Sequence, residues 1–176
     1  MLAAFYRDGI GVTRDERTAA KWYLRAAERG SIDSQAIVAD LYAAGIGLPP
    51  DSKKSLDWRR RAAMMGHVPS QYALGDIYAY GRGVKRDLKE GAIWSRRAAE
   101  QGFSVAQVEL ATLYEYGRGV DYDEAEAAKW YLKAAALRDD RYPKTRGPSM
   151  DGKSCASRQR RSAIDAGGYT VDALAR

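Results

Sequence analysis

The chain has 176 residues, 45% of them apolar and 30% charged, which is enough for one ordinary domain or a short repeat array; no apolar run reaches the roughly 18 residues of a membrane-spanning helix. A single cysteine, Cys155, and a single histidine, His67, exclude an internal disulfide framework and a four-ligand Cys/His zinc site. The net charge of +6 is shared by unequal lengths: residues 1–138 hold 21 Lys and Arg against 18 Asp and Glu, and residues 139–176 hold eight against five. A basic balance therefore belongs to the tail, and the body is nearly neutral.

From its first residues the chain repeats itself. Tyr6, Gly9, Gly11, Asp15, Trp22 and the alanine pair at Ala26 recur as Tyr42, Gly45, Gly47, Asp51, Trp58 and Ala62, again at 78–98 and again at 114–134, always 36 residues on. Six columns in register across four copies define a structural unit, and no insertion breaks the frame. Leu2 occupies the column of Val38, Leu74 and Leu110, so the first unit enters partway through its first helix. An exposed repeat edge there is expected to be covered, either by more of the array or by self-association. The opening residues, Met1-Leu2-Ala3-Ala4-Phe5-Tyr6-Arg7, lack the basic start and small-residue cleavage site of an export peptide. The compartment is cytoplasmic by default, with the periplasm or secretion open if more sequence precedes Met1.

Each unit reads as two helices. In the third, Ser70 to Tyr80 places Leu74, Ile77 and Tyr78 at helical spacing, and Gly81 follows as a residue able to end the helix in the left-handed region. Asp87 is then the expected N-cap of the second helix, with Glu90 as its capping-box partner. That helix continues through Trp94, Ala98 and Ala99 to Gly102. The tryptophans read as core, because an aromatic stripe at helical spacing is a packing signal. The Gly-x-Gly pairs lack the preceding strand and third glycine of a dinucleotide fingerprint and read as turn chemistry. His67, between Gly66 and Pro69, reads as an exposed loop residue, with a triad alongside Ser70 and Asp76 as the rival reading.

The run Ser70-Gln71-x-x-Leu74-Gly75-x-x-Tyr78-x-x-Gly81-x-Gly83-Val84-x-x-Asp87, continuing to Ala92-x-Trp94 and Ala98-Ala99-x-x-Gly102, closely resembles the Sel-one-like repeat, a relative of the tetratricopeptide repeat. The likeness covers residues 1 to about 138; Leu48-Pro49-Pro50 departs from its usual valine turn, and Gly75 is Ala39 or Ala111 elsewhere. It implies an all-α, right-handed superhelical solenoid of about four 36-residue helix-turn-helix units. It also implies a non-catalytic adaptor that holds a protein or peptide, commonly in bacterial envelope, secretion or signalling assemblies, without membrane insertion. Cysteine-rich relatives associated with β-lactams carry disulfides in every repeat, and this chain has none.

The pattern stops at Arg138. Residues 139–153 read as an irregular basic linker and 154–166 as one short helix. Gly147-Pro148-Ser149-Met150-Asp151-Gly152-Lys153-Ser154 fits the phosphate-loop expression letter for letter, which makes nucleotide binding the rival function. No apolar strand precedes it and only 22 residues follow Ser154, too few for a parallel sheet, so no cofactor is expected. The cluster Arg158-Gln159-Arg160-Arg161 suggests nucleic-acid binding as a third reading, but it lacks aromatic stacking residues between Tyr142 and Tyr169 and reads as a solvated tail.

Helical-hairpin solenoids line their concave surface with the first helix of each unit. There, Leu74, Ile77 and Tyr78 face the core, and Tyr72, Asp76 and Tyr80 point away from it. The same columns give Asp40 in the second unit and Thr112 and Tyr116 in the fourth. These six residues are the predicted partner-binding ridge, with Asp40 and Asp76 placed to meet a Lys or Arg of the partner. The alternative is that Tyr80 and Tyr116 pack on the next hairpin.

Overall fold

The computed structural model describes residues 2–136. They form eight helices and no strand: α1 Leu2–Asp8, α2 Glu16–Glu28, α3 Ile32–Ala44, α4 Ser52–Met64, α5 Val68–Tyr80, α6 Leu88–Glu100, α7 Ser104–Tyr116 and α8 Glu124–Ala136. Odd-numbered helices are the first, or A, helix of each hairpin and even-numbered ones the second, or B, helix. Each packs on its neighbours in sequence, giving an all-α solenoid of four hairpins.

The hairpin is closed by the repeat's own signature residues. Gly9, Gly45, Gly81 and Gly117 end the A helices with φ of 61–70°, a region in which any side chain is strained. After the turn, the backbone N–H of Asp15, Asp51, Asp87 and Asp123 donates to the carbonyl of Tyr6, Tyr42, Tyr78 and Tyr114 at 2.9–3.1 Å. The aspartate side chain then caps the B helix, Asp87 Oδ1 accepting from the N–H of Lys89 and Glu90 at 3.0 Å. The reciprocal capping box expected at Glu90 does not form. The cap's own N–H is already taken by the tyrosine carbonyl, and Glu90 instead accepts from Trp94 Nε1 at 2.9 Å.

Successive hairpins are tied by a second recurrent bond. Gln35, Gln71 and Gln107, all buried, donate Nε2 to the carbonyls of Ala27, Ala63 and Ala99 in the last turn of the preceding B helix, at 3.3, 3.0 and 3.0 Å. Each of these carbonyls also accepts the N–H of the glycine that ends the turn, Gly30, Gly66 or Gly102, at 3.0–3.1 Å, so the glutamine adds a second bond that fastens one hairpin to the next. Helix α5 begins two residues before Ser70, because His67 is its N-cap and not a free loop residue: half-buried, its Nδ1 accepts from the Ser70 N–H at 3.3 Å and pairs with Ser70 Oγ at 2.8 Å. Ser70 is buried beneath it, and its hydroxyl is taken up by the cap.

Three buried clusters make up the core, centred on Val38 and Tyr42, on Leu74 and Trp94, and on Leu110 and Trp130. Small residues let the helices approach. In the third hairpin Gly91 faces Gly75, and a Cβ on Gly91 would lie 3.0 Å from the Gly75 carbonyl oxygen. Trp94 is 6% exposed, whereas Trp22 is 36% exposed beside the short α1. The apolar side chains Leu2, Phe5, Ile10 and Val12 of the first hairpin are also open to solvent.

Two comparisons test this packing. In urea denaturation, Trp94→Ala should cost about 3–5 kcal/mol and Trp22→Ala clearly less, since only the first removes a filled core position. Gly83→Ala and Gly119→Ala introduce the same positive-φ strain, at 74° in both. A Cβ at 83 meets nothing within 4 Å, while one at 119 would lie 2.1 Å from the Leu88 carbonyl oxygen. Gly83→Ala should therefore cost about 1 kcal/mol and Gly119→Ala several times that, the excess measuring how tightly the fourth hairpin's turn sits on α6.

Candidate functional site

The six residues of the predicted ridge all fall on the A helices or their last turn, and their environments differ. Tyr80 and Tyr116 are 66% and 55% exposed at the ends of α5 and α7. At that exposure Tyr80 is not buried against the fourth hairpin, and whatever follows α8 beside Tyr116 lies outside the described residues. The guanidinium of Arg82 lies 5.1 Å from the Tyr80 ring and that of Arg118 5.3 Å from the Tyr116 ring, so the third and fourth turns each present a Tyr–Arg pair to solvent. In the first two hairpins the arginine position is Ile10 or Ile46.

Tyr72 is half-buried, not a free contact residue. Its ring meets Phe103 edge to face at 5.5 Å, and its hydroxyl is hydrogen-bonded to the carboxylate of Glu109. Thr112 is drawn into the helices by its hydroxyl, which donates to the Val108 carbonyl at 3.0 Å and lies 3.2 Å from Tyr131 Oη.

The central column is read most clearly by comparing hairpins. Asp40 is bound to Arg59, nineteen residues on in the facing B helix, at 2.6 Å. Thr112 meets Tyr131 at the same offset. The corresponding partner of Asp76 is Ser95, which is buried against Gly75 with an Oγ that has no hydrogen-bond partner. No side chain from α6 crosses to Asp76. It carries neither a hydrogen bond nor an ion pair among the described residues, and burial raises its pKa against the opposing pull of Arg82.

Glu109, which the sequence reading passed over, completes the arrangement. Its Oε2 is buried without a partner, and its pKa is pushed up to about 7 by burial first and by the negative charge of Asp76 second, the hydrogen bond from Tyr72 working the other way. The signal was present in the repeat: the column reads Ile37, Ala73, Glu109, so a carboxylate occupies an apolar position. Asp76 and Glu109 thus form a recessed acidic pair across α5 and α7, with Tyr72 bonded to Glu109 and the Tyr80–Arg82 and Tyr116–Arg118 pairs on the turns that follow the two helices. Among the described residues no group of His, Cys, Asp and Glu has the arrangement of a metal site. Residues 147–154 and the Arg158–Arg161 cluster lie outside the described residues.

Because the native pKa of Glu109 is raised above that of the unfolded chain, the native state holds the extra proton between about pH 4.5 and 7. Stability should fall as pH rises through that window. Urea titrations of the wild type are expected to lose on the order of 1–2 kcal/mol across it, discounted for the part of the side chain that solvent still reaches, and Glu109→Gln should remove that loss.

The Sel1 repeat profile matches residues 1–31, 32–67, 68–103 and 104–139. A Sel1 repeat protein from Oxalobacter formigenes is 34% identical, superposes with a TM-score of 0.71, and is matched over 80% of this chain and 57% of its own. The protective antigen c5321 of uropathogenic Escherichia coli, which displays the same repeat fold, is 33% identical with a TM-score of 0.74 over 77% of this chain and 29% of its own. Helicobacter pylori cysteine rich protein B shares the fold at 23% identity and a TM-score of 0.56, over 72% of this chain and 91% of its own. The chain thus spans little more than half of one of these proteins and under a third of another. It matches no curated protein.

Proposed function

Since the chain belongs to the Sel1 repeat family, whose repeats generally serve as protein-interaction scaffolds, we propose that it is a non-catalytic adaptor that binds a protein or peptide along its A helices and takes a Lys or Arg of the partner at Asp76. One observation carries the reading. The cross-hairpin partner present for Asp40 and Thr112 is missing for Asp76, so a half-buried carboxylate is left to be neutralised from outside. A cation arriving there would gain a charge-assisted contact in a partly desolvated recess, beside Glu109, which could lose its proton on binding. Tyr80 and Tyr116, held by their arginines and exposed, would add apolar contact area at low conformational cost. Asp40 is exposed, but its charge is already met by Arg59, so it offers a partner's cation less than Asp76 does.

Peptides selected from a random display library on the folded chain should share a Lys or Arg. Asp76→Asn should weaken them about tenfold, and the pair Tyr80→Ala and Tyr116→Ala comparably, with circular dichroism unchanged. These positions are preferred to Tyr72, whose truncation would disturb its packing on Phe103. Selection of peptides without a basic residue, or undiminished binding by the folded variants, would move the binding site off the A helices.

A further inference from the structure

The near-neutral body conceals a charge separation. The A helices carry six carboxylates, Asp8, Asp33, Asp40, Asp76, Glu109 and Glu115, against Arg7 alone. The B helices carry thirteen Lys and Arg against seven Asp and Glu.

On the B helices this charge is gathered on one side. Arg17, Lys21 and Arg25 are spaced four apart on α2, hence on one face, and they and their counterparts at 36-residue steps are all exposed. Nine of these twelve positions are Lys or Arg and one, Asp57, is acidic. Among the described residues only Lys129 of the nine has an ion pair, with Glu126. The last member of the stripe in each hairpin is held over a tryptophan ring: Arg25 over Trp22, Arg61 over Trp58, Arg97 over Trp94 and Lys133 over Trp130, at 3.9–5.5 Å. A row of cations is thereby fixed at one per repeat.

Large aliphatic side chains stand in the same face. Ile93 occupies the stripe itself at 47% exposure, Met64 follows Arg61 by one turn at 77%, and Leu132 adjoins Lys133 at 71%. Isolated aliphatic side chains among cations suit a surface that offers negative charge above hydrocarbon. Single-stranded nucleic acid would need open aromatic faces, and here the indoles are covered by their own cations.

We propose that the B-helix face docks peripherally on an anionic lipid surface, its Lys and Arg at the headgroup phosphates and Ile93, Met64 and Leu132 dipping beneath them. No described helix is long and apolar enough to span a membrane, so the contact is interfacial. It uses the side of the hairpins opposite in charge to the Asp76 face, leaving the scaffold reading independent of it.

Sedimentation of the full chain with phosphatidylcholine–phosphatidylglycerol vesicles tests this, with pure phosphatidylcholine vesicles as the reference. The wild type should bind the mixed vesicles, not the neutral ones, and lose binding as salt rises. The combined variant Lys21→Glu, Lys53→Glu, Lys89→Glu, all at exposed positions, should lower partitioning tenfold or more with an unchanged circular dichroism spectrum. Ile93→Ser with Leu132→Ser leaves the charge alone and should lower vesicle binding severalfold without changing retention on heparin. The proposal fails if the wild type ignores the mixed vesicles. It fails equally if the lysine variant binds as before while Arg158→Glu, Arg160→Glu, Arg161→Glu abolishes binding, which assigns the affinity to the tail. Unchanged vesicle binding by the Ile93, Leu132 variant would make the face a general polyanion surface and overturn the lipid assignment.

Discussion

Every hairpin depends on one short-range arrangement: a tyrosine carbonyl at the end of the A helix accepting the N–H of the aspartate that caps the B helix. The turn between them, with two glycines at positive φ, is compatible with that bond in all four copies. The aspartate thus serves two helices at once, its backbone fastened to the first and its carboxylate capping the second. Rotation of the B helix is fixed by this junction. The tryptophan seven residues further on is therefore carried to the same place in each unit, where it takes a cation over its ring and, in every hairpin but the first, joins the core.

With the hairpin fixed, the array grows by a different bond, from the glutamine of each A helix to the helix-end carbonyl of the hairpin before it. Hairpin and array are thus stabilised by separate residues. This separation allows the side chains that face solvent to vary from unit to unit without disturbing the frame. The third hairpin shows how far that variation goes. Gly75, Gly91 and Ser95 replace larger residues found at the same columns elsewhere, the two helices approach closely, and no side chain remains to reach Asp76. The same small residues that tighten packing also leave a carboxylate without a partner on the facing helix, with only the charge of Arg82 acting on it.

The separation of charge between the two rows has the same origin. Each B helix turns one face to solvent at a fixed rotation, so a basic residue recurring every 36 positions becomes a continuous stripe. The A-helix carboxylates share a row but not a column, only Asp40 and Asp76 being 36 residues apart. A net charge taken over the whole body averages these two rows and hides both.

The sequence alone determined the unit, its period, its two helices, the turn glycines and the aspartate caps, because each is governed by contacts a few residues apart and is repeated four times; of the tryptophans it read as core, Trp94 and Trp130 are buried, Trp58 is partly so and Trp22 is exposed. It also placed Tyr80 and Tyr116 among the residues that leave the core. What it could not decide lies between helices. The partner of Asp40 stands nineteen residues away, Glu109 acquires its raised pKa from burial first and the Asp76 charge second, and Glu90 turns to Trp94 because a tyrosine carbonyl has taken its expected partner. His67 is a cap where the sequence suggests a loop residue, because α5 starts at Val68, two residues before Ser70. Periodicity reports which positions are equivalent; which side chain meets which is set by interhelical distance and rotation, and those exist only in the folded chain.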